Sequence, residues 1–391
     1  MRGVVVATLL ILGFSSAVAQ APSPWLRAPY LGAVGDGVIA ISWMTARPVS
    51  IDVCYALAST HDATGSWDET LTFEQHQGQG EVWLRGLTAG ATYHYQLVAY
   101  EGTARYPADI GSFAVPPSEA SPFAFLAYGE TRLLSDRHRL VADTMAENEP
   151  GAAFAVHVGG LVEAPDEAQY ANLFWAIASL ARSCPYFPVR DHDRFVGGRY
   201  YDVFALPVGG GDAAEQWWSL DYGCVHVIGL DSTLTGSGSE AAMAEQVAWL
   251  RHDLGRPDLA GRFVLVFSSH PLYSAEAGAV AQALRDAWEQ LFRESGVDVV
   301  ISGGAGGYEH IYHGGIHHLV TAGGGAPFPE DPSPSAAGTV FRRPGVLHYL
   351  RLTVVERSLR VEAIPVAWGV ENEIVVAPDG RPMDSFTLLG Y

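Results

Sequence analysis

Apolar and polar residues alternate in short runs between Pro29 and residue 117. Examples are Val38-Ile39-Ala40-Ile41-Ser42-Trp43, Ile51-Asp52-Val53-Cys54-Tyr55, Glu81-Val82-Trp83-Leu84 and Thr92-Tyr93-His94-Tyr95-Gln96-Leu97-Val98. A period of two at this spacing, with no helical stretch, predicts a β-sandwich over residues 26–117. The segment Val115-Pro116-Pro117-Ser118-Glu119-Ala120-Ser121-Pro122 reads as a linker stiffened by proline. Beyond it the pattern changes to near-continuous apolar runs at 123–128, 152–159, 225–230, 263–267 and 297–302. Helical periodicity lies between several of these, at 136–148, 240–254 and 279–294. Sheets covered on both faces produce such runs, so residues 118–391 predict an α/β domain with strand-end loops available for chemistry. Alternation returns over 347–391 and is expected to complete a second sheet.

Charge narrows the partners. The chain carries 43 acidic against 23 basic residues, a formal net charge of −20, and every basic residue is arginine. A nucleic-acid binder needs a basic stripe, which this balance disfavours. The absence of lysine removes a P-loop and any Schiff-base chemistry. Met1 and Arg2 precede an apolar run, and Ala17-Val18-Ala19 supplies small residues, so residues 1–19 read as a secretory signal peptide. That run is short of the roughly 20 residues a membrane span needs, and no later segment qualifies. The expected location is secreted or periplasmic. Of the three cysteines, Cys54 and Cys224 lie in strand-like runs and read as buried thiols, with a Cys184–Cys224 bridge as the alternative.

Five loops carry the candidate chemistry. They are Phe125-Leu126-Ala127-Tyr128-Gly129-Glu130-Thr131-Arg132, His157-Val158-Gly159-Gly160-Leu161-Val162-Glu163, Pro188-Val189-Arg190-Asp191-His192-Asp193, Phe267-Ser268-Ser269-His270-Pro271 and Ser302-Gly303-Gly304-Ala305-Gly306-Gly307-Tyr308-Glu309. Their order resembles the five metal-binding loops of calcineurin-like metallophosphoesterases. More closely, the chain resembles bacterial relatives of purple acid phosphatases that carry a fibronectin type III-like domain before the catalytic one. Leu87-Thr88-Ala89-Gly90-Ala91-Thr92-Tyr93 resembles the tyrosine corner of fibronectin type III domains. The resemblance implies a two-sheet αββα sandwich following the β-sandwich. It also implies a dinuclear Fe, Zn or Mn centre that hydrolyses phosphoesters. Two dications at about 3.5 Å repel by roughly 19 kcal/mol at an effective dielectric near 20, so carboxylates must bridge and flank them.

The family pattern expects Asp in the first loop and a bridging Asp in the second. It then expects Asn and His in the third, His in the fourth, and a His-x-His pair in the fifth. This chain has Glu130, Gly160, Asp191 with His192, Ser269, and Gly304 with Gly306 at those positions. His270 stands one place beyond Ser269 and, in a strand, faces the other way. Glycine offers no side-chain ligand and serine is a poor neutral one. Glu130, Asp191 and His192 therefore remain as vestiges of the metal site, with His192 a vestigial general acid. No cofactor is expected.

Other residues invite sharper readings. Arg132, Arg190 and Arg194 could hold an anion through forked hydrogen bonds. His310, His313, His317 and His318 look like a replacement metal cluster, yet His317 and His318 should open a strand and point to opposite faces, so at most three converge. His157 and His226 read as core or edge histidines, and Gly323-Gly324-Gly325 as family-like backbone positions without a ligand. Three functions follow. One is a pseudophosphatase binding an unknown protein or anion. The second is a weak phosphoesterase using one metal at Glu130, Asp191 and His192. The third is an envelope adhesion module acting through the fibronectin-like half.

Overall fold

The computed structural model describes residues 22–390 apart from 118–120, 133, 165, 192–198, 237, 305, 329–333, 371–372 and 378–379. Its first part is built from β1 (Trp25–Gly35), β2 (Val38–Leu57), α1 (Ala58–Thr64), β3 (Glu69–Arg85), β4 (Thr92–Glu101), β5 (Ala104–Pro107) and β6 (Gly111–Ala114). The long strand β2 changes neighbours along its length. Its first half lies between β1 and the end of β3, and its second half between the start of β3 and β4. Register shifts between Thr45 and Ile51 mark the bend. Alternate residues Ile39, Ile41, Trp43, Ile51 and Val53 are fully buried, the outcome the period-two pattern requires.

Helix α1 departs from the expected all-strand reading. The short alanine-containing run Ala58–Thr64 ends at Gly65, whose left-handed φ of 69° lets its N–H reach the His61 carbonyl at 2.7 Å. Glycine adopts that conformation without the Cβ penalty and closes the helix.

The second part begins with β7 (Phe123–Tyr128), α2 (Ser135–Asn148), β8 (Ala155–His157), α3 (Glu167–Ala181), β9 (Tyr186–Pro188), α4 (Arg199–Val203), β10 (Gly209–Gly210), β11 (Trp217–Tyr222) and β12 (Val225–Gly229). It continues with α5 (Glu240–Leu254), β13 (Phe263–Ser268), α6 (Ala279–Leu284), a π-turn into α7 (Gln290–Glu294), β14 (Val299–Ser302), β15 (Gly307–His313) and β16 (Ile316–Thr321). It ends with β17 (Thr339–Pro344), β18 (Val346–Val355), β19 (Ser358–Val370), β20 (Glu373–Val376) and β21 (Asp384–Leu389). Helix α3 was not among the stretches read from the sequence. Its N-terminus is capped by the Asp166 carboxylate, which accepts from the Gln169 N–H at 2.8 Å.

Eight strands form one sheet in the order β10-β11-β12-β13-β14-β16-β15-β17, and β12, β13, β14 and β16 run parallel. The other sheet has the order β20-β19-β18-β7-β8-β9 with β21 on β19, and β7, β8 and β9 run parallel. The sheets pack face to face: Phe187 meets Trp218 and Phe154 meets Tyr222, with ring centroids 5.9 and 5.4 Å apart. Strand β13 shows why its sequence is apolar throughout. Phe263, Leu265 and Phe267 face the inter-sheet core, while Val264 and Val266 face Leu250, Leu284 and Trp288 of the covering helices.

The two parts dock through β1 and α3. The buried Arg27 guanidinium reaches Glu167 at 2.5 Å and lies over the Phe174 ring, while the Tyr30 hydroxyl donates to the Val203 carbonyl at 2.5 Å.

All three cysteines are free thiols, so the Cys184–Cys224 bridge is not formed. Cys54 and Cys184 are buried. Cys224 is only half-buried because it lies in the turn between β11 and β12 rather than inside a strand.

Candidate functional site

The tips of β7, β8, β13 and β14 and the segment after β9 converge, so the five loops do form one site. Glu130 leaves β7 with a left-handed φ of 60°. That conformation is costly for a residue with a long side chain, and the backbone holds it in place. The Glu130 N–H donates to the Gly159 carbonyl at 2.8 Å, and the Thr131 and Arg132 N–H groups both donate to the Gly160 carbonyl at 2.9 Å. From the other side, the Gly324 N–H donates to the Gly129 carbonyl at 2.7 Å and the Ala326 N–H to the Glu130 carbonyl at 2.8 Å. A Cβ at Gly324 would lie 2.6 Å from Thr131 Cγ2, which explains a glycine there without any ligand role.

The Glu130 carboxylate turns into the space in front of Gly160. A Cβ placed on Gly160 would lie 2.7 Å from Glu130 Cδ and 2.8 Å from its Cα. Gly160 itself has a φ of 68°, and its N–H donates to the Asp191 carboxylate. Gly304 donates to Glu130 Oε1 at 3.4 Å, and a Cβ at Gly303 would lie 2.7 Å from the Ser269 carbonyl. Glycines at 159, 160, 303 and 304 are thus the condition for the loop tips to close on one another. Glu130 and Asp191 are both buried.

Burial pushes the Glu130 carboxyl up to about 7, against the pull of the Arg132 guanidinium and with the reinforcement of Asp191. Arg132 Nη2 lies 2.9 Å from Glu130 Oε2, and its Nε lies 3.5 Å from Glu163 Oε1. Arg190 donates to the Tyr201 hydroxyl at 2.5 Å and lies over the Tyr200 and Tyr201 rings. Two of the three candidate anion-binding arginines therefore have partners of their own within the fold. Arg194 and His192 lie outside the described residues.

His270 differs from its expected orientation. The chain leaves β13 after Ser268, so strand alternation no longer applies. The imidazole Nδ1 sits 3.0 Å from Ser232 Oγ and 3.2 Å from Ser269 Oγ, and the two hydroxyls are 2.8 Å apart. Ser269 is thus tied into a hydrogen-bonded cluster with Ser232, a residue that sequence reading did not single out.

The histidines at 310, 313, 317 and 318 divide into two pairs. His310 Nε2 and His317 Nδ1 are 2.8 Å apart on one face, with Asp384 2.8 Å from His310 Nδ1. His313 and His318 pack on Tyr273 on the other face. No three of them converge. His157 is fully buried and bonded to Thr131, and His226 is fully buried between Asp221 and Asp253.

Among solved structures, a purple acid phosphatase from yellow lupin seeds superposes with a TM-score of 0.71 over 93% of this chain and 74% of that one, at 15% identity. PhoD gives a TM-score of 0.69 over 94% and 91%, at 11% identity. The chain has the calcineurin-like metallophosphoesterase fold of purple acid phosphatase type. A third match to this metallophosphoesterase fold is GAP50, the anchor in the inner membrane complex of Plasmodium, with a TM-score of 0.52 over 69% and 89% at 16% identity. Curated relatives include an acid phosphatase from Aspergillus ficuum, 26% identical over 140 residues, and purple acid phosphatase 15 from Arabidopsis thaliana, 30% identical over 114 residues. The matches span 26% and 28% of this chain, and 23% and 21% of those relatives' lengths. No protein-family model matches.

Purple acid phosphatases imply a dinuclear metal centre, and the described residues do not fit one. Position 160 has no donor and no room for one, Ser269 is hydrogen-bonded elsewhere, and Gly304 and Gly306 carry no side chain. The Arg132 guanidinium supplies Glu130 with a cation already. Among the described residues, one group of three side chains brings its donor atoms within 4.8 Å of one another: His61, Asp62 and His94, in the first part of the chain. No described helix is long and apolar enough to cross a membrane.

Proposed function

We propose that this protein is a secreted metallophosphoesterase-fold scaffold that binds a partner and does not hydrolyse phosphoesters. The observation that carries the reading is the Glu130 side chain filling the space of a bridging carboxylate at position 160 while paired with Arg132. Removing groups that merely orient ligands commonly costs 10–100-fold in metal affinity or activity. Here the bridge and the imidazole positions of the fourth and fifth loops are replaced outright. Because Arg132 and Arg190 have partners within the fold, a protein surface is favoured over a free anion as ligand. The first part of the chain is read as fibronectin type III-like on the strength of its corner, where the Thr88 N–H donates to the Tyr93 hydroxyl at 3.1 Å. That GAP50 is described as an anchor agrees with a non-catalytic use of this fold.

A weak, single-metal phosphoesterase is the second reading. It is favoured by the approach of two buried carboxylates, Glu130 and Asp191, at the same point.

Elemental analysis of protein purified without chelator, with an aryl phosphate assay, separates the two. Iron, zinc and manganese at the converged loops are expected well below one equivalent, with no turnover. Metal-dependent turnover abolished by His192→Ala overturns the first reading in favour of the second. Two transition ions bound between the strand tips overturn both.

A further inference from the structure

We infer that His61, Asp62 and His94 form a zinc site in the first part of the chain, separate from the converged loops. His61 and Asp62 lie on α1, and His94 lies on β4. Their donor atoms all fall within 4.8 Å of one another, and Asp62 Oδ1 is 3.1 Å from His94 Nε2. Tetrahedral zinc with bonds near 2.0–2.2 Å sets its ligand atoms about 3.3–3.5 Å apart, so the three donor atoms need draw together only slightly on binding. Two imidazoles and one carboxylate suit Zn²⁺.

The plain alternative is a solvent-exposed ion pair between Asp62 and His94, of the kind that contributes little. Two features go beyond it. The first is bracing of His94, whose Nδ1 lies 2.6 Å from Ser112 Oγ on β6. A second partner on the far ring nitrogen fixes the tautomer of a metal-binding imidazole. Without metal, the Asp62 carboxylate, an acceptor only, requires the proton on Nε2, and Ser112 Oγ sits at Nδ1. With zinc, the proton resides on Nδ1 and donates to Ser112 Oγ, and Nε2 turns its lone pair to the ion, leaving the ring neutral. The second feature is His61, the third donor. Its ring is held against Trp67 at a centroid distance of 4.2 Å and edge-on to His94 at 5.4 Å. Asp62 is exposed and the two rings half-buried, so an ion can enter from solvent and keep water in the fourth position.

The test is Zn²⁺ titration of the purified, chelator-treated protein by calorimetry, with Co²⁺ visible absorption as a spectroscopic stand-in. One zinc per chain is expected. Affinity should fall more than about 100-fold in His94→Ala and in Asp62→Asn, and about 10–100-fold in Ser112→Ala. Far-ultraviolet circular dichroism checks that each variant is folded. Glu130→Gln with Asp191→Asn should leave the zinc count unchanged, which separates this site from the converged loops. Absence of zinc uptake, or equal uptake by wild type and Asp62→Asn, overturns the inference. So does loss of zinc in the Glu130→Gln, Asp191→Asn variant.

Discussion

The carboxylate of Glu130 occupies the space that a side chain at residue 160 would need. A Cβ there would lie 2.7 Å from Glu130 Cδ. The longer acid in the first loop and the missing acid in the second are therefore one coupled feature. Gly160→Asp alone is expected to destabilise the fold by about 2–4 kcal/mol, from overpacking of about 1–3 kcal/mol and the left-handed backbone at φ 68°. It should not restore hydrolysis, because the fourth- and fifth-loop imidazoles would still be absent. Glu130→Asp shortens the intruding side chain. The double variant should recover about 0.5–3 kcal/mol relative to the sum of the single changes. A double-mutant cycle by urea unfolding measures this coupling. Additive values would show that the two positions do not compete for the same space.

Buried histidines set an acid limit on stability. Burial pushes His138 down to about 3 and His348 down to about 4. Both rings stay neutral in the folded chain below pH 6.5, where the unfolded chain already binds protons. Neither ring affects stability above pH 6.5, and each increasingly destabilises the folded chain as pH falls from 6.5 toward its lowered value, by up to about 1.4 kcal/mol per pH unit. His226 works in the opposite sense. Burial lowers it, but the hydrogen bonds to Asp221 and Asp253 outweigh burial and raise it, so its contribution is lost as pH rises. Unfolding free energies measured at pH 7 and pH 5 should fall on acidification. His348→Gln should reduce that slope by about one proton's worth, and an unchanged slope would remove His348 from the account.

The sequence displayed its sheets more openly than its site. Strand β13 is buried on both faces and so reads as an unbroken apolar run, and the half-buried β2 reads as alternation. Both signals are local. That residues 160, 269, 304 and 306 carry neither carboxylate nor imidazole was also legible, since it needs only the residue identities along the loops. The partnership of Glu130 with Gly160 was not, because it joins residues thirty positions apart through a left-handed turn. His270 was misjudged because alternation was extended past Ser268, where β13 ends. Helix α1 left a faint signal in its alanines and in Gly65, too short to show a helical period. The approach of His61 to His94 followed from that helix and was hidden with it.

The thiols give a chemical count of the fold. Burial pushes the Cys184 thiol well above its ordinary range, and burial also raises Cys54 and Cys224. The thiolate is the reacting form, so all three should react slowly with alkylating reagents in the native protein, and Cys184 slowest. Unfolded in denaturant without reductant, the chain should titrate three thiols. A count of one would restore the Cys184–Cys224 bridge read as an alternative from the sequence. Reductant should then lower the unfolding midpoint, because a closed loop of about 40 residues constrains the unfolded chain by several kcal/mol. With all three thiols free, reductant leaves the midpoint where it is.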